Sequence, residues 1–156
     1  GETKFSDAQK LGQGTWPLNA CPMDGGRIVA LGGGKFASVW QRAGEVFYAP
    51  LGESEILLGK GRQPIAITRG GATTVYWQDE AGLVSKQVDA RDSALARHAA
   101  NARIATPAQP SENGPAVVAY EQSATAAAPI KHGPGMHTAA GRAAAGAKTM
   151  VAVERL

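Results

Sequence analysis

Short stretches in which apolar and polar residues alternate run through residues 27–88 of the chain. Alternation of this kind puts every second side chain on the same face, which is typical of a β-strand with one buried face. Glycine-containing turns of hairpin length separate the stretches. The predicted strands are RIVAL (27–31), KFASVW (35–40), EVFYA (45–49), SEILLG (54–59), PIAIT (64–68), TTVYWQ (73–78) and LVSKQV (83–88). The pattern therefore predicts an all-β fold.

The predicted strands repeat along the chain. IVALGGGKFASVWQRAGEVF aligns with IAITRGGATTVYWQDEAGLV, which places Ile28 over Ile65 and Trp40 over Trp77 at a spacing of 37 residues. Repeats of about 40 residues with four strands each are typical of β-propeller blades, whose two apolar faces are buried only by neighbouring blades. We therefore predict a partial β-propeller of about three to four antiparallel blades.

Later segments extend this pattern. PAVVAYEQ (115–122) is a third copy of the second strand, and TMVAVER (149–155) is a weaker fourth copy. DSALARHAANARI (92–104) could form a short amphipathic helix, but the repeat places a junction between blades there. The chain from Ser123 is rich in Ala and Gly, which predicts weak order. The predicted organisation is propeller blades over residues 1–122 and an Ala/Gly-rich tail with a possible final strand over 123–156.

The charge balance narrows the choice of partners. The chain has 16 basic and 13 acidic residues, a net charge of +3, and no Lys/Arg-rich run interleaved with aromatic residues. Nucleic-acid binding is therefore not expected. No apolar stretch approaches the roughly 18 residues that a membrane helix needs, so no transmembrane segment is expected. The chain begins without a charged and then apolar leader, so we expect any export signal to have been removed or never present.

Three segments resemble bacterial sialidase-like propeller proteins with BNR (Asp-box) repeats. They are KFSDAQKLGQGTWPLNACPMDGG (4–26), VWQRAGEVFYA (39–49) and LGKGRQPIAI (58–67). In that family a Trp and a Cys-Pro-x-x-Gly segment lead into the first strand of a blade. The resemblance covers residues 1–90 and extends loosely to residue 122. It implies a six-bladed propeller and an extracellular or periplasmic location.

True sialidases also carry an arginine triad, a Tyr/Glu nucleophile pair and an Asp acid/base. A complete set of these groups does not match the residues of this chain. At roughly 40 residues per blade, 156 residues supply fewer than four blades. A partial ring leaves sheet edges open, so we expect association with another protein chain or with a second copy.

The stretch GTWPLNACPMDGG (14–26) contains the only cysteine of the chain. A single cysteine cannot form an intrachain disulfide. The possible soft ligands for copper are Cys21, Met23, His132, Met136 and His137. Cysteine and methionine in β-proteins usually fill cores, and the two clusters are more than 100 residues apart. We therefore predict that Trp16 and Cys21 pack between sheets as a structural plug, and we predict no metal and no cofactor.

Three charged residues are candidates for binding an anionic ligand. Asp24 lies one position from Arg62 in the 37-residue repeat, and Arg103 is a further candidate for the equivalent position. Arginines around a central channel would suit a carboxylate sugar. The alternative interpretation is that Asp24 caps a turn and that the Arg62 stem packs over a tryptophan. We name all three as candidate ligand-binding residues.

The remaining motifs predict no catalytic residues. Trp40 and Trp77 recur at equivalent positions, so we predict packing between blades with a hydrogen-bonded indole N–H, rather than a sugar-stacking platform. GGGK and GKG do not fit a phosphate-binding loop, which needs Gly, four residues, and then Gly-Lys-Ser/Thr. No GxSxG motif surrounds a serine.

The sequence therefore predicts a non-catalytic binding or structural module of a sialidase-like propeller, with an anionic glycan as a possible ligand. The alternative is an exo-sialidase-type glycoside hydrolase whose catalytic groups are completed by residues outside this chain or by a partner. A third hypothesis is a small subunit of a larger membrane-associated or redox assembly, held by its exposed sheet edges.

Overall fold

The computed structural model describes residues 4, 7, 8, 10–17, 26–91, 93–97, 99–105, 116–123 and 149–155. Every regular element in these ranges is a β-strand, and all neighbouring strands run antiparallel. The strands are β1 (Arg27–Gly32), β2 (Lys35–Arg42), β3 (Glu45–Pro50), β4 (Ile56–Lys60), β5 (Arg62–Arg69), β6 (Ala72–Gln78), β7 (Gly82–Gln87), β8 (Ala94–Arg97), β9 (Ala99–Ala105), β10 (Val117–Ser123) and β11 (Thr149–Arg155). The all-β prediction is confirmed.

The strands form three separate sheets. The first sheet has the order β1-β2-β3-β4, the second β5-β6-β7-β8, and the third β11-β10-β9. Trp40 lies in β2 and Trp77 in β6, so the two tryptophans occupy the second strands of different sheets. The strands β3 and β7 are separated by 37 residues at both ends. The sequence repeat therefore corresponds to successive copies of one four-stranded antiparallel unit.

The repeat has an irregularity in β1. A bulge near the end of this strand adds one residue, so that Ile28 pairs with Ser38. In the second sheet the residue that corresponds to Ser38 is Val75, and its partner is Ala66. Ile28 therefore corresponds to Ala66, and the predicted match with Ile65 is wrong by one position. Because strand side chains alternate between faces, this single position exchanges the two faces of the strand.

The later segments of the repeat also form strands. PAVVAYEQ supplies β10, and residues 92–104 supply β8 and most of β9, so the helical alternative is wrong. TMVAVER forms β11, which pairs along its whole length with β10. It is therefore the third strand of the third sheet, and its interpretation as a fourth copy of the second strand is wrong. The predicted weak order of the Ala/Gly-rich stretch from Ser123 to Ala147 concerns residues outside the described ranges, except for Ser123, which is the last residue of β10.

The three sheets are stacked face to face, with the second sheet in the middle. The core between the first and second sheets contains Val29, Ala37, Val39, Val46, Tyr48, Leu58, Val75, Trp77 and Val84. The core between the second and third sheets contains Ile65, Ile67, Tyr76, Leu83, Ala99, Ala102, Ala116, Val118 and Tyr120. Neighbouring residues of β6 enter opposite cores because side chains alternate along a strand. The second sheet is therefore buried on both faces.

The same short connection joins each sheet to the next. Only Gly61 separates β4 from β5, and β9 begins two positions after β8 ends. The last strand of a sheet thus leads directly into the first strand of its successor. That first strand packs against the preceding sheet, β5 on β1 and β2, and β9 on β5 and β6. The described residues form an open stack of three sheets.

Candidate functional site

The predicted ligand-binding residues do not occupy equivalent positions. Arg62 is the exposed first residue of β5 and pairs with Gln78. Arg103 lies within β9 opposite Ala119, and its Nη1 donates a 2.9 Å hydrogen bond to the carbonyl oxygen of the preceding residue. The repeat therefore does not relate the two arginines, and their predicted role in ligand binding stays a prediction. Asp24 and Cys21 lie outside the described residues.

Trp77 is buried between the first and second sheets, with 4% of its surface exposed. Its indole Nε1 donates a 2.9 Å hydrogen bond to the carbonyl oxygen of Lys60. The ring lies against Gly59 and Gly61, where a Cβ atom at Gly59 would come within 3.1 Å of it. The sequence Gly59-Lys60-Gly61, which does not fit a phosphate loop, thus forms the surface on which the Trp77 ring packs, which we call its seat.

Trp40 has a similar seat, formed by a different part of the chain. A Cβ atom at Gly12 would lie 2.6 Å from the Trp40 ring, so only glycine leaves room there. Gly12 belongs to Leu11-Gly12-Gln13-Gly14, which repeats the L-G-x-G pattern of Leu58-Gly59-Lys60-Gly61. Residues 11–14 therefore contact the Trp40 ring in the same way that Gly59 of β4 and Gly61, which links β4 to β5, contact the Trp77 ring.

Trp16 lies further along the same segment and keeps 40% of its surface exposed. It is therefore not buried between two sheets, and this part of the predicted plug is wrong. The reason is that residues 10–17 lie on the first sheet alone, with no second sheet described above them. Residues 18–25, which include the rest of the predicted plug, lie outside the described ranges.

A bidentate ion pair fastens this segment to the first sheet. The Arg42 guanidinium donates hydrogen bonds of 2.9 and 2.5 Å to the two carboxylate oxygens of Glu55. The same carboxylate accepts the backbone N–H of Gln13 at 2.9 Å. The Arg42 guanidinium also lies 4.0 Å from the centre of the Phe47 ring, a cation–π contact. The segment is therefore tied to the sheet by charge-assisted hydrogen bonds.

The pKa values of this pair follow from its geometry. The hydrogen bonds from Arg42 lower the pKa of Glu55 to about 2, with further help from the backbone of Gln13 and Gly14. The Glu55 carboxylate in turn raises the pKa of Arg42. Sequence reasoning missed this pair, because a strand residue and a loop residue 13 positions apart show no local pattern. The L-G-x-G repeat was a signal that could have revealed the seat.

We define the outer face of the first sheet as the face turned away from the second sheet. By strand register it contains Ile28, Ala30, Phe36, Ser38, Trp40, Phe47, Ala49 and Leu57. The same register places Arg42 and Glu45 at one end of this face. The exposed fractions of Ile28, Phe36 and Leu57 are 75%, 48% and 52%. Phe47 and Ala49 of the same face are buried, with 6% and 0% of their surface exposed. Large exposed apolar side chains on a sheet face are characteristic of interaction surfaces.

The described residues contain no group of three or more His, Cys, Asp or Glu side chains that could hold a metal ion. The residues considered as possible copper ligands, Cys21, Met23, His132, Met136 and His137, fall outside those residues. Within the same ranges, no helix is long and apolar enough to cross a membrane. Comparison of the chain with protein-family models, curated proteins and solved structures found no match.

Proposed function

We propose that this chain is a non-catalytic structural module, three blades of an incomplete sialidase-like β-propeller, which works by binding protein through the end faces of its sheet stack. One observation carries the proposal. Ile28, Phe36 and Leu57 are large apolar side chains that stay exposed on the outer face of the first sheet. The corresponding face of the second sheet, with Val75 and Trp77, is buried under a neighbouring sheet.

The energetics favour association. Full burial of one large apolar side chain stabilises a protein by about 1.5–3 kcal/mol relative to exposure. Three such side chains lie on this face, and their exposure leaves much of that stabilisation unrealised. The charged residues Arg42 and Glu45 of this face lie side by side at one end, where Arg42 is already paired with Glu55. Docking on the rest of the face therefore desolvates no charge. A partner that presents an apolar sheet face would therefore bind here.

The stack supports the propeller part of the proposal. Each sheet follows its predecessor through the same last-strand to first-strand connection, and each pair packs face to face. Blades of a propeller are joined and packed in this way. The extracellular or periplasmic location rests on the sialidase-like resemblance alone and is part of the same proposal.

Light scattering over a range of protein concentrations tests the proposal, together with thermal shifts in the presence of sialic acid and neutral glycans. We expect concentration-dependent association, or a stable complex with another protein, and no thermal shift with any glycan. A monomer that is stabilised by sialic acid, with the shift lost in Arg62→Ala, would support the glycosidase alternative instead. A monomer with neither property contradicts both.

A further inference from the structure

We infer that the partner is a second copy of this chain, and that two copies close a ring of six sheets. In this ring, the outer face of the first sheet of each copy packs on the free face of the third sheet of the other. The inference rests on the proposed function and names its partner. It follows from the way in which the three sheets of one chain already contact each other.

The two sheet contacts within the chain are of one kind. The face of the second sheet that carries Val75 and Trp77 packs under the first sheet. The face of the third sheet that carries Val118 and Tyr120 packs under the second. In both contacts, the same face of the later sheet packs on the opposite face of the preceding sheet. The outer face of the first sheet, which carries Trp40, is the counterpart of these two faces, and no described sheet packs on it.

A second copy offers the matching face on its third sheet. By strand register, the face turned away from the second sheet includes Ala105, Val117 and Ala119, beside Arg103 and Glu121. On β9 and β10, Ala105 and Ala119 leave room for large side chains of the outer face. Glu121 accepts a 2.9 Å hydrogen bond from Asn101, so part of its polar surface is already paired. Large residues opposite small ones are what close sheet packing requires.

The number of strands in each sheet also favours a contact between the first sheet of one copy and the third sheet of the other. The first and second sheets have four strands, whereas the third has three among the described residues, and β11 is its last strand. Residues 11–14 repeat the sequence at the end of β4 and seat Trp40 as that strand end seats Trp77. In the ring, this segment of one copy lies where the third sheet of the other copy needs a fourth strand.

The three described sheets of one chain do not close on each other. The second sheet lies between the first and the third and covers one face of each. Propellers have typically four to eight blades, and two copies of three sheets lie within that range. Strand spacing and rise give each face a footprint of roughly 20 by 20 Å. The two contacts of the ring then bury roughly 1,600 Å², the usual size of a stable protein interface.

Three substitutions at alanines test the ring. Ala30→Glu puts a charge on the outer face of the first sheet, and Ala119→Lys puts one on the free face of the third. Ala94→Glu, at an exposed position on β8, is the matched control. Sedimentation velocity measures the dimer dissociation constant of each variant, and circular dichroism and thermal unfolding confirm that each is folded.

The ring predicts that the two charged variants dimerise poorly alone but dimerise when mixed. Ala30→Glu and Ala119→Lys should each raise the dimer dissociation constant at least tenfold, because each leaves a lone charge in both contacts. An equimolar mixture should recover dimers, because one contact is then unaltered and the other pairs Glu with Lys. The control should dimerise like the unmodified chain.

Three results would overturn the ring. If Ala30→Glu prevents association, Ala119→Lys does not, and the mixture shows no recovery, the outer faces pair with each other about a two-fold axis. If the unmodified chain stays monomeric while it binds another protein through the outer face, the ring is wrong but the proposed function survives. A monomer that binds sialic acid contradicts the proposed function as well.

Discussion

The indole Nε1 of Trp77 donates a 2.9 Å hydrogen bond to the carbonyl oxygen of Lys60 across the junction between the first and second sheets. Lys60 is the last residue of β4, and the chain enters β5 two positions later. The bond therefore ties the strand that leaves one sheet to the centre of the next. It holds the two sheets in a fixed stacking arrangement with a buried polar contact that is satisfied.

The glycine at this junction should not tolerate a side chain. Gly61 has a φ of +145°, and a Cβ atom there would collide with the Trp77 ring and the carbonyl group of Gln78. We expect Gly61→Ala to lower the free energy of unfolding by about 2 kcal/mol or more, from backbone strain and the displaced ring together. Urea unfolding measures this change.

Gly71→Ala is the control for backbone strain, because Gly71 has a φ of +79° and a Cβ atom there meets open space. We expect it to cost about 1 kcal/mol. Equal losses in the two variants would show that the contact with the Trp77 ring contributes nothing.

The two tryptophans should differ in their contribution to stability. Trp77→Phe removes the bond to the Lys60 carbonyl oxygen and shrinks a side chain in the core. We expect a loss of about 2–3 kcal/mol in urea unfolding. Trp40→Phe should cost about 1 kcal/mol less, because the Trp40 ring is only partly buried. The reverse order would contradict the assignment of the sheet junction to Trp77.

Acid should weaken the attachment of residues 10–17. The pKa of Glu55 is about 2 in the folded protein, against 4.5 for an ordinary glutamate. A lowered pKa stabilises the fold above the unfolded value, and this stabilisation is lost as the pH falls from 4.5 towards 2. Because the pair is near the surface, we expect a loss of about 1 kcal/mol.

Urea unfolding at pH 6 and pH 2.5 should therefore show a larger drop for the unmodified chain than for Glu55→Gln. The exposed Glu80 supplies the comparison, since Glu80→Gln should follow the unmodified chain. An identical acid response in Glu55→Gln and the unmodified chain would show that the ion pair with Arg42 does not stabilise the fold.

Alkali should weaken the core between the first and second sheets. Burial raises the pKa of Tyr48 above its ordinary value of 10, and Asp89 and Glu53 add to this, while a hydrogen bond with Thr73 opposes it. The folded state therefore favours the neutral phenol, so the stabilisation is complete below pH 10 and is lost as the pH rises through the raised pKa. Unfolding curves at pH 8 and above pH 10 should fall less for Tyr48→Phe. A parallel response of the two proteins would contradict this role for Tyr48.

Some elements of the site had a sequence signal and some had none. The L-G-x-G pattern at residues 11–14 and 58–61 marks both tryptophan seats, although only the contacts show what the glycines accommodate. Arg42 and Glu55 have no local pattern that relates them, and only the fold brings them together. Arg62 and Arg103 appear related in the sequence, but the strand register separates their positions.

The sequence alone determined the strands, their hairpin turns and the repeat that relates Trp40 to Trp77. These depend on alternating polarity and on glycine turns, which are properties of neighbouring residues. Only the tertiary structure decided which sheet faces are covered, because one bulged residue in β1 is enough to exchange the faces of Ile28 and its neighbour. The exposure of Trp16 and the pairing of β11 with β10 likewise depend on contacts between distant segments, which no local pattern specifies.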